Sequence, residues 1–218
     1  MATAIIGIGN IGKAIATHLT DGGETVVLAA DNEANAQQLA KELGRGTSAA
    51  SVVEAIDQAD TVIFAVWLDV IKQLVAEHGA RLVGKVVVDP SNPITVAPDR
   101  TYPRTLPDGV SSASVIDGLL PTGAHFVKAF GTIAADALAD SANRSPERAV
   151  LFYATDDDVA GATAERLIAA SGFDPIKAGG LDQAIRIEMF GDHQFGGLDG
   201  KLITVAEAQA LLSERAGV

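Results

Sequence analysis

The sequence contains no cysteine in 218 residues, and this absence removes several kinds of chemistry. Disulfide bonds, thiolate metal sites and a cysteine nucleophile are excluded. Long apolar runs are also missing, because the longest one, Val62 to Leu68, is far too short to span a bilayer. The N-terminus has no basic region of the kind that opens a secretory signal. We therefore expect a cytoplasmic protein with no membrane partner.

Basic residues are scarce as well. The chain has 16 lysines and arginines against 28 aspartates and glutamates, a formal net charge of −12. Such a charge repels nucleic acid and anionic membranes, so we expect neither as a partner. With 48% hydrophobic residues the chain is globular, and its length allows one large core with at most a small second one.

The most informative stretch is Ala4–Gly12, in which a β-type apolar run enters a G-x-G-x-x-G turn. Such a turn cradles the pyrophosphate of a dinucleotide when a strand precedes it and a helix follows. Gly7 would allow the tight turn, Gly9 would let the phosphates approach bare backbone, and Gly12 would let the helix pack close to the strand. The pattern predicts a site for NAD or NADP, with an ordinary glycine turn as the alternative.

The residues after the turn continue as a helix. Asn10 and Ile11 stand at its start, where unpaired N–H groups and the helix dipole bind phosphate without a lysine. The helical stripe comprises Ile11, Ala14, Ile15, His18 and Leu19. This spacing is typical of a helix packed on a sheet.

Strands and helices then alternate along most of the chain. Further strands are predicted at Thr25 to Ala30, Thr61 to Val66, Lys85 to Asp89, His125 to Phe130 and Ala149 to Ala154. Helices are predicted at Asn32 to Leu43, from Ser51, at Asp69 to His78, at Ser112 to Leu120, from Thr155 to Gly172, at Asp182 to Phe190 and after Thr204. This alternation predicts a doubly wound α/β fold of the Rossmann type with a mostly parallel sheet. A polar stretch near residue 140 predicts a nucleotide-binding domain over residues 1–140 and a small C-terminal α/β lobe over residues 141–218.

Five short motifs in this order resemble the NADP oxidoreductases that depend on the deazaflavin coenzyme F420, including the related cytosolic domain of the six-transmembrane metalloreductases. The motifs are Gly7–Gly12, Phe64–Trp67, Asp89–Pro93, Leu120–Pro121 and Lys128–Thr132. The resemblance implies that these segments line one cleft at the carboxyl ends of the strands. It also implies hydride transfer between a nicotinamide and F420 or a flavin as a second redox ring.

Six residues outside the glycine turn are expected in that cleft on the strength of the resemblance. They are Val66, Trp67, Asn92, Pro93, Phe130 and Gly131. Trp67 also follows a strand end, where ligands bind in open α/β sheets, although plain packing would explain it equally well. The Asn92 amide can both donate and accept hydrogen bonds, and Asn-Pro is also a common turn former. Gly131 stands where the family commonly has Asn or His.

Asp31 is the residue that discriminates between NAD and NADP. It lies nineteen residues after Gly12, at the end of the second predicted strand, where an acidic residue binds the adenosine ribose hydroxyls. The family typically has a Ser-Arg-Arg sequence there that grips the 2′-phosphate of NADP, whereas this chain has Ala30-Asp31-Asn32. Asp31 therefore favours NAD, unless it turns outward and caps the following helix.

Hydride transfer between two cofactor rings requires positioning rather than an acid or base. Accordingly no histidine stands in a conspicuous catalytic motif. His193 lies on the glycine-rich segment Gly191 to Gly200 and is the one histidine considered as a candidate for the cleft. The run Asp156 to Asp158 suits a helix start better than a cation, and no metal site is predicted.

Two other functions compete with this one. The segment Gly9 to Ile15 is similar to the opening of pyrroline-carboxylate reductases, which reduce imines, but the mixed pattern from Ala149 onward does not supply their helical dimerisation domain. A non-enzymatic nucleotide-sensing module is the third reading. We further expect a homo-oligomer, because a small second lobe rarely closes a cleft alone.

Overall fold

The computed structural model describes residues 1–213, and its centre is one eight-stranded sheet. The strands are β1 (Ala2–Ile6), β2 (Thr25–Ala29), β3 (Ser48–Ala49), β4 (Thr61–Phe64), β5 (Val86–Asp89), β6 (His125–Lys128), β7 (Val150–Ala154) and β8 (Asp174–Gly179). Their order across the sheet is β3-β2-β1-β4-β5-β6-β7-β8. The strands β1 to β6 are mutually parallel, and β7 pairs antiparallel to β6 while β8 runs parallel to β7.

Helices cover both faces of the sheet. They are α1 (Asn10–Asp21), α2 (Glu33–Leu43), α3 (Val52–Gln58), α4 (Leu68–His78), α5 (Ser112–Asp117), α6 (Ala135–Asp140), α7 (Asp158–Ala170), α8 (Ala184–Ile187) and α9 (Val205–Ser213). One face packs against α1, α2, α6 and α7, and the other against α3, α4, α5, α8 and α9. This confirms the predicted doubly wound α/β fold.

Alternating side chains of the central strands feed both cores. In β1, Ile5 joins the core beneath α1 while Ala4 and Ile6 join the opposite core. All three are at most 2% exposed, because a parallel sheet covered on both faces leaves no solvent-facing side. The same reasoning explains the continuous apolar runs that the strands show in sequence.

The chain after residue 140 adds β7 and β8 to the same sheet. Their pairing with the rest of the sheet is short, since β6 and β7 share one registered residue pair, Lys128 with Ala154. The predicted division into a domain and a small lobe at residue 140 stays a prediction, with the sheet continuous across it.

Several predicted boundaries change in the structure, each for a local reason. The strand β6 stops at Lys128 instead of Phe130, because Phe130 adopts a left-handed φ of 66°. The helix predicted to reach Leu120 ends at Asp117, with Gly118 as its C-cap. The helix predicted at Asp182 to Phe190 is a 3₁₀ turn followed by the short α8, since the backbone leaves the helix at Glu188.

Among the strands and α-helices of residues 1–213, β3, α6 and β8 were not predicted. The predicted capping boxes at Ser51 and Thr204 are both confirmed. In the second of them, the Thr204 N–H donates to Glu207 Oε2 at 2.7 Å and the Glu207 N–H donates to Thr204 Oγ1 at 3.4 Å. Within residues 1–213, no helix has both the length and the apolar run that crossing a bilayer requires.

Candidate nucleotide and hydride-transfer site

The glycine turn lies between β1 and α1, and its three glycines have different surroundings. Gly7 has a φ of +98°, and a Cβ built there would lie 2.5 Å from the Ala65 carbonyl oxygen. A Cβ on Gly12 would lie 2.0 Å from the Gly7 carbonyl oxygen, so this glycine allows the helix to approach the turn. A Cβ on Gly9 would meet nothing within 4 Å. Of these three glycines, only Gly9 therefore faces open space.

A cleft opens directly beside Gly9. It has a volume of about 310 Å³ and lies at the carboxyl ends of β1, β4 and β5, where the strand order reverses. We call it the switch-point cleft, and its lining residues are Gly9, Asn10, Ile11, Ala65, Val66, Trp67, Pro90, Ser91, Asn92, Ile94 and Ala135. Open α/β sheets bind their ligands at such a point. The first-turn N–H groups of α1 also lack partners within the helix, which suits phosphate there.

The structure brings six of the predicted site residues together in this cleft. They are Gly9, Asn10, Ile11, Val66, Trp67 and Asn92. Trp67 is 53% exposed at the N-cap of α4, so its indole ring is available to a ligand. Five further residues line the cleft, and three of them, Ala65, Pro90 and Ser91, belong to motifs that were expected to do so. The fourth, Ile94, follows the predicted Pro93. The fifth, Ala135, opens the unpredicted helix α6.

Three predicted residues support the cleft from behind instead of lining it. Phe130 is fully buried in the core under α1, and Pro93 is also buried. A Cβ on Gly131 would lie 2.6 Å from the Pro90 carbonyl oxygen, so no side chain fits there without a shift. The Asn92 amide instead reaches across, and its Nδ2 donates to the Gly131 carbonyl at 3.2 Å.

A buried polar network lies directly behind the Ser91 part of the cleft wall. Lys128 Nζ donates to Asp89 Oδ2 and to Ser112 Oγ, both at 2.7 Å, and lies 3.7 Å from Glu188 Oε1. We call these four residues the Lys128 cluster. Sequence reasoning missed it as a unit, although Asp89 and Lys128 stand in register at the ends of neighbouring strands.

The lining of the switch-point cleft carries no titratable side chain. Its polar groups are the Asn10 and Asn92 amides, the Trp67 indole N–H and the backbone. The arrangement can bind and orient planar rings and phosphates. Within this lining it offers no protein acid or base.

Comparison with known proteins shows a family resemblance in the first part of the chain. Residues 2–93 match the family model described as NADP oxidoreductase, coenzyme F420-dependent. That match covers the glycine turn and the cleft as far as Pro93. This segment of the chain, residues 2–93, is therefore similar to that family.

Individual relatives and solved structures are similar over more of the chain. The rat metalloreductase STEAP3 is 30% identical over 184 residues, which is 84% of this chain but 35% of that protein, so the chain spans about a third of its length. The hypothetical protein SMa0349 from Sinorhizobium meliloti is 30% identical with a TM-score of 0.81, over 94% of this chain and 95% of that one. A protein from Arthrobacter sp. proposed to be an F420-dependent NADP-reductase has the same fold, at 23% identity and a TM-score of 0.71, over 84% and 86%.

Asp31 departs from the basic residues typical of F420-dependent NADP oxidoreductases at this point. It is exposed just beyond β2, and its Oδ1 accepts from the Asn32 N–H at 2.8 Å. Asn32, rather than Asp31, caps α2, because its Oδ1 accepts from the Asn35 N–H. Because Gly7 N–H donates to the Ala29 carbonyl at 2.8 Å, the end of β2 stays beside the glycine turn.

His193 does not line the switch-point cleft. It is 2% exposed, and its ring stacks on Phe152 with the ring centroids 5.5 Å apart. The glycine-rich segment is hydrogen-bonded to the rest of the chain, since the His193 N–H donates to the Arg186 carbonyl and the Phe195 N–H to the Thr132 carbonyl. The glycine content of the segment suggested mobility, but these long-range bonds are not visible in sequence.

The aspartate run at the start of α7 has structural partners. Asp157 caps the helix through a 2.9 Å bond from the Ala160 N–H, and Asp156 accepts from the Leu181 N–H. Asp157 Oδ2 also lies 2.6 Å from His125 Nδ1. Burial acts to raise the pKa of Asp157, but the Ala160 N–H and His125 outweigh it and leave that pKa below its usual value.

Proposed function

We propose that this protein transfers hydride between a nicotinamide dinucleotide and a second planar redox ring, a deazaflavin such as F420 or a flavin. The observation that carries the proposal is the switch-point cleft, which is open at Gly9 and has no titratable side chain in its lining. Hydride transfer between two rings needs close, oriented stacking with water excluded and no protein proton donor.

Each part of the cleft would have its own task. Gly9 and the start of α1 would bind the pyrophosphate, because nothing occupies the space in front of Gly9. Val66 and Ile94 would exclude water from the rings. The exposed Trp67 would stack against a ring, and the nicotinamide supplies the hydride chemistry when bound.

NAD is the dinucleotide that this chain supports best. The Asp31 carboxylate would bind the ribose hydroxyls and repel a 2′-phosphate. No arginine or lysine occurs from Glu24 through Ala40 to offset that repulsion locally. The preference departs from the NADP in the family description, and its test is given in the Discussion.

The main competitor is reduction of an imine or carbonyl compound. That reaction requires a proton for the nitrogen or oxygen formed, and a positioned side chain normally supplies it. The lining offers none, and His193 is buried elsewhere. Nucleotide sensing without catalysis is the other competitor, and turnover with any acceptor would exclude it as the sole function.

The deciding experiment mixes purified protein with NADH or NADPH and, separately, F420, FMN, a ferric chelate, and a set of imines and ketones. Loss of the near-ultraviolet absorbance of the reduced nicotinamide reports turnover. We expect turnover with F420 or FMN, and none with Gly9→Val protein, which is the matched control. Turnover with imines or ketones alone would instead establish the competing reductase.

Self-association belongs to the same proposal. The switch-point cleft is open, and a second copy of the chain would complete its cover. Light scattering at micromolar concentration should give at least a dimer mass. A single monomer mass would contradict this part without affecting the proposed reaction.

A further inference from the structure

The Lys128 cluster lies outside the ligand-lining residues, yet it is among the most buried polar groups of the described chain. Lys128 is 1% exposed, and Asp89, Ser112 and Glu188 are each 0% exposed. Charges buried this deeply are costly unless they are paired and fully hydrogen-bonded. Glu188 meets that condition, because its oxygens accept from the Ser112 N–H, the Ser112 hydroxyl and the Ala113 N–H at 3.1, 2.8 and 3.1 Å.

The cluster also holds both backbone polar groups of Ser91. Asp89 Oδ1 accepts from the Ser91 N–H at 2.7 Å, and Lys128 Nζ donates to the Ser91 carbonyl oxygen. Ser91 lies in the wall of the switch-point cleft between Pro90 and Asn92. The ammonium therefore contacts this wall from behind, although it does not line the cleft.

Asn92, the next residue in the cleft wall, is also hydrogen-bonded to segments behind the wall. Its Nδ2 donates to the Gly131 carbonyl, and its Oδ1 accepts from the Met189 N–H at 2.6 Å, one residue after Glu188. The ends of β5 and β6, the start of α5 and the segment after α8 thus meet behind one wall. The strained Phe130, with a φ of 66°, lies between Lys128 and Gly131, and such strain persists only where the surroundings enforce it.

We propose that Lys128 is a positioning residue that holds the Ser91–Asn92 wall where the nicotinamide half of the dinucleotide binds. The inference rests on the proposed function only in placing the nicotinamide in this cleft. The adenosine half would bind at the glycine turn and β2, which the cluster does not touch. Loss of the ammonium should therefore affect the two halves of the ligand unequally.

The test compares NADH with ADP-ribose, which has the same adenosine and phosphates but no nicotinamide. Calorimetric titrations are made on native protein and on Lys128→Met, whose side chain has a similar length and no charge. We expect Lys128→Met to weaken NADH binding about tenfold and to leave ADP-ribose binding within about twofold of native. A role in folding alone would weaken both ligands equally.

Tyr153→Phe is the control for loss of a side-chain hydrogen bond away from the cleft. The Tyr153 ring lies in the core beneath α7, away from the cleft, and its hydroxyl donates to the exposed Glu165 at 2.5 Å. This variant should lower the melting temperature without changing the ratio of the two affinities.

Lys128→Met leaves two buried carboxylates without their cation and is the variant most exposed to misfolding. Ser112→Ala keeps every charge and removes only the hydroxyl between Lys128 and Glu188, so this variant is measured together with Lys128→Met. We expect a selective loss of about threefold for NADH. Equal weakening of both ligands, unchanged affinities, or a native protein that binds the two ligands equally would overturn the proposal. These titrations contain no electron acceptor, so their outcome does not depend on the proposed reaction. Failure of that reaction would show separately in the turnover assay.

Discussion

Replacing Gly9 by valine separates nucleotide binding from folding. The backbone at Gly9 has a φ of −66°, which any residue adopts, and a Cβ there meets nothing within 4 Å. The protein itself therefore leaves room for the new side chain. In the proposed function that same space holds the pyrophosphate, so the valine methyl groups would take the volume of the ligand.

The size of each effect follows from these surroundings. Phosphate bound at a helix N-terminus accepts charge-assisted bonds of about 1.5–3 kcal/mol each, so losing two of them costs at least about 3 kcal/mol, or more than 100-fold in affinity. The loss of folding stability should stay below about 1 kcal/mol, since Gly9 makes no side-chain cap bond. Gly12→Val is the contrasting variant, because its Cβ would lie 2.0 Å from the Gly7 carbonyl oxygen. Overpacking of this kind should cost more than about 3 kcal/mol of stability.

The assay is calorimetric titration with NADH together with urea unfolding of each variant. Gly9→Val should unfold at nearly the native urea concentration and show no measurable binding. Gly12→Val should unfold much earlier. A folded Gly9→Val protein with native affinity would refute the phosphate site, and a stable Gly12→Val protein would refute the close approach of helix and turn.

Three further predictions follow from individual side chains. Native protein should bind NADH more tightly than NADPH, and Asp31→Ser should reduce the ratio of the two dissociation constants about tenfold. The unscreened repulsion between the Asp31 carboxylate and a 2′-phosphate is about 4 kcal/mol at ~4 Å and a dielectric of ~20, and the exposure of Asp31 lowers it. An unchanged ratio would show that Asp31 is not the ribose ligand. His193→Ala should lower turnover less than about tenfold, or about 1.4 kcal/mol. Thermal melts should show about 1–3 kcal/mol of lost stability, because the ring contact with Phe152 is removed. A larger loss of turnover with intact binding would favour the imine or carbonyl reductase. Asp157→Ala should cost about 1 kcal/mol at neutral pH against little for the exposed Asp158→Ala. Because the folded pKa of Asp157 lies below its usual 3.8, its contribution is present above pH 3.8 and is lost as the pH falls through the lowered folded value, which urea unfolding across acidic pH would detect.

Local signals were enough to predict the first half of the fold and the centre of the site. The glycine turn needs only neighbouring residues, because the φ of Gly7 and the approach of Gly12 to Gly7 are set within one strand–turn–helix unit. Alternation of apolar runs with helical stripes likewise predicts a parallel sheet covered on both faces. The family resemblance predicted that Trp67 and Asn92 lie in one cleft, and both residues, each just beyond a strand end, line the switch-point cleft.

Short or partly exposed elements were missed because their local signal is weak. The strand β3 has two residues, and β8 is only half-buried with Pro175 near its start. The helix α6 has no side-chain cap. Their existence depends on a neighbouring strand or helix that is already in place, and no pattern within six residues reports that neighbour.

Only the tertiary structure decided which polar residues meet behind the cleft. Ser112 and Glu188 are 76 residues apart, and Asn92 and Met189 are 97 apart, yet both pairs are hydrogen-bonded. The reversed direction of β7 and β8 and the burial of His193 are also long-range outcomes. Periodicity records which face of an element is buried, whereas the identity of a distant partner depends on how the whole chain packs. The sequence by itself therefore determined the nucleotide turn and the class of the fold, and tertiary packing alone determined the charged cluster that holds the cleft wall.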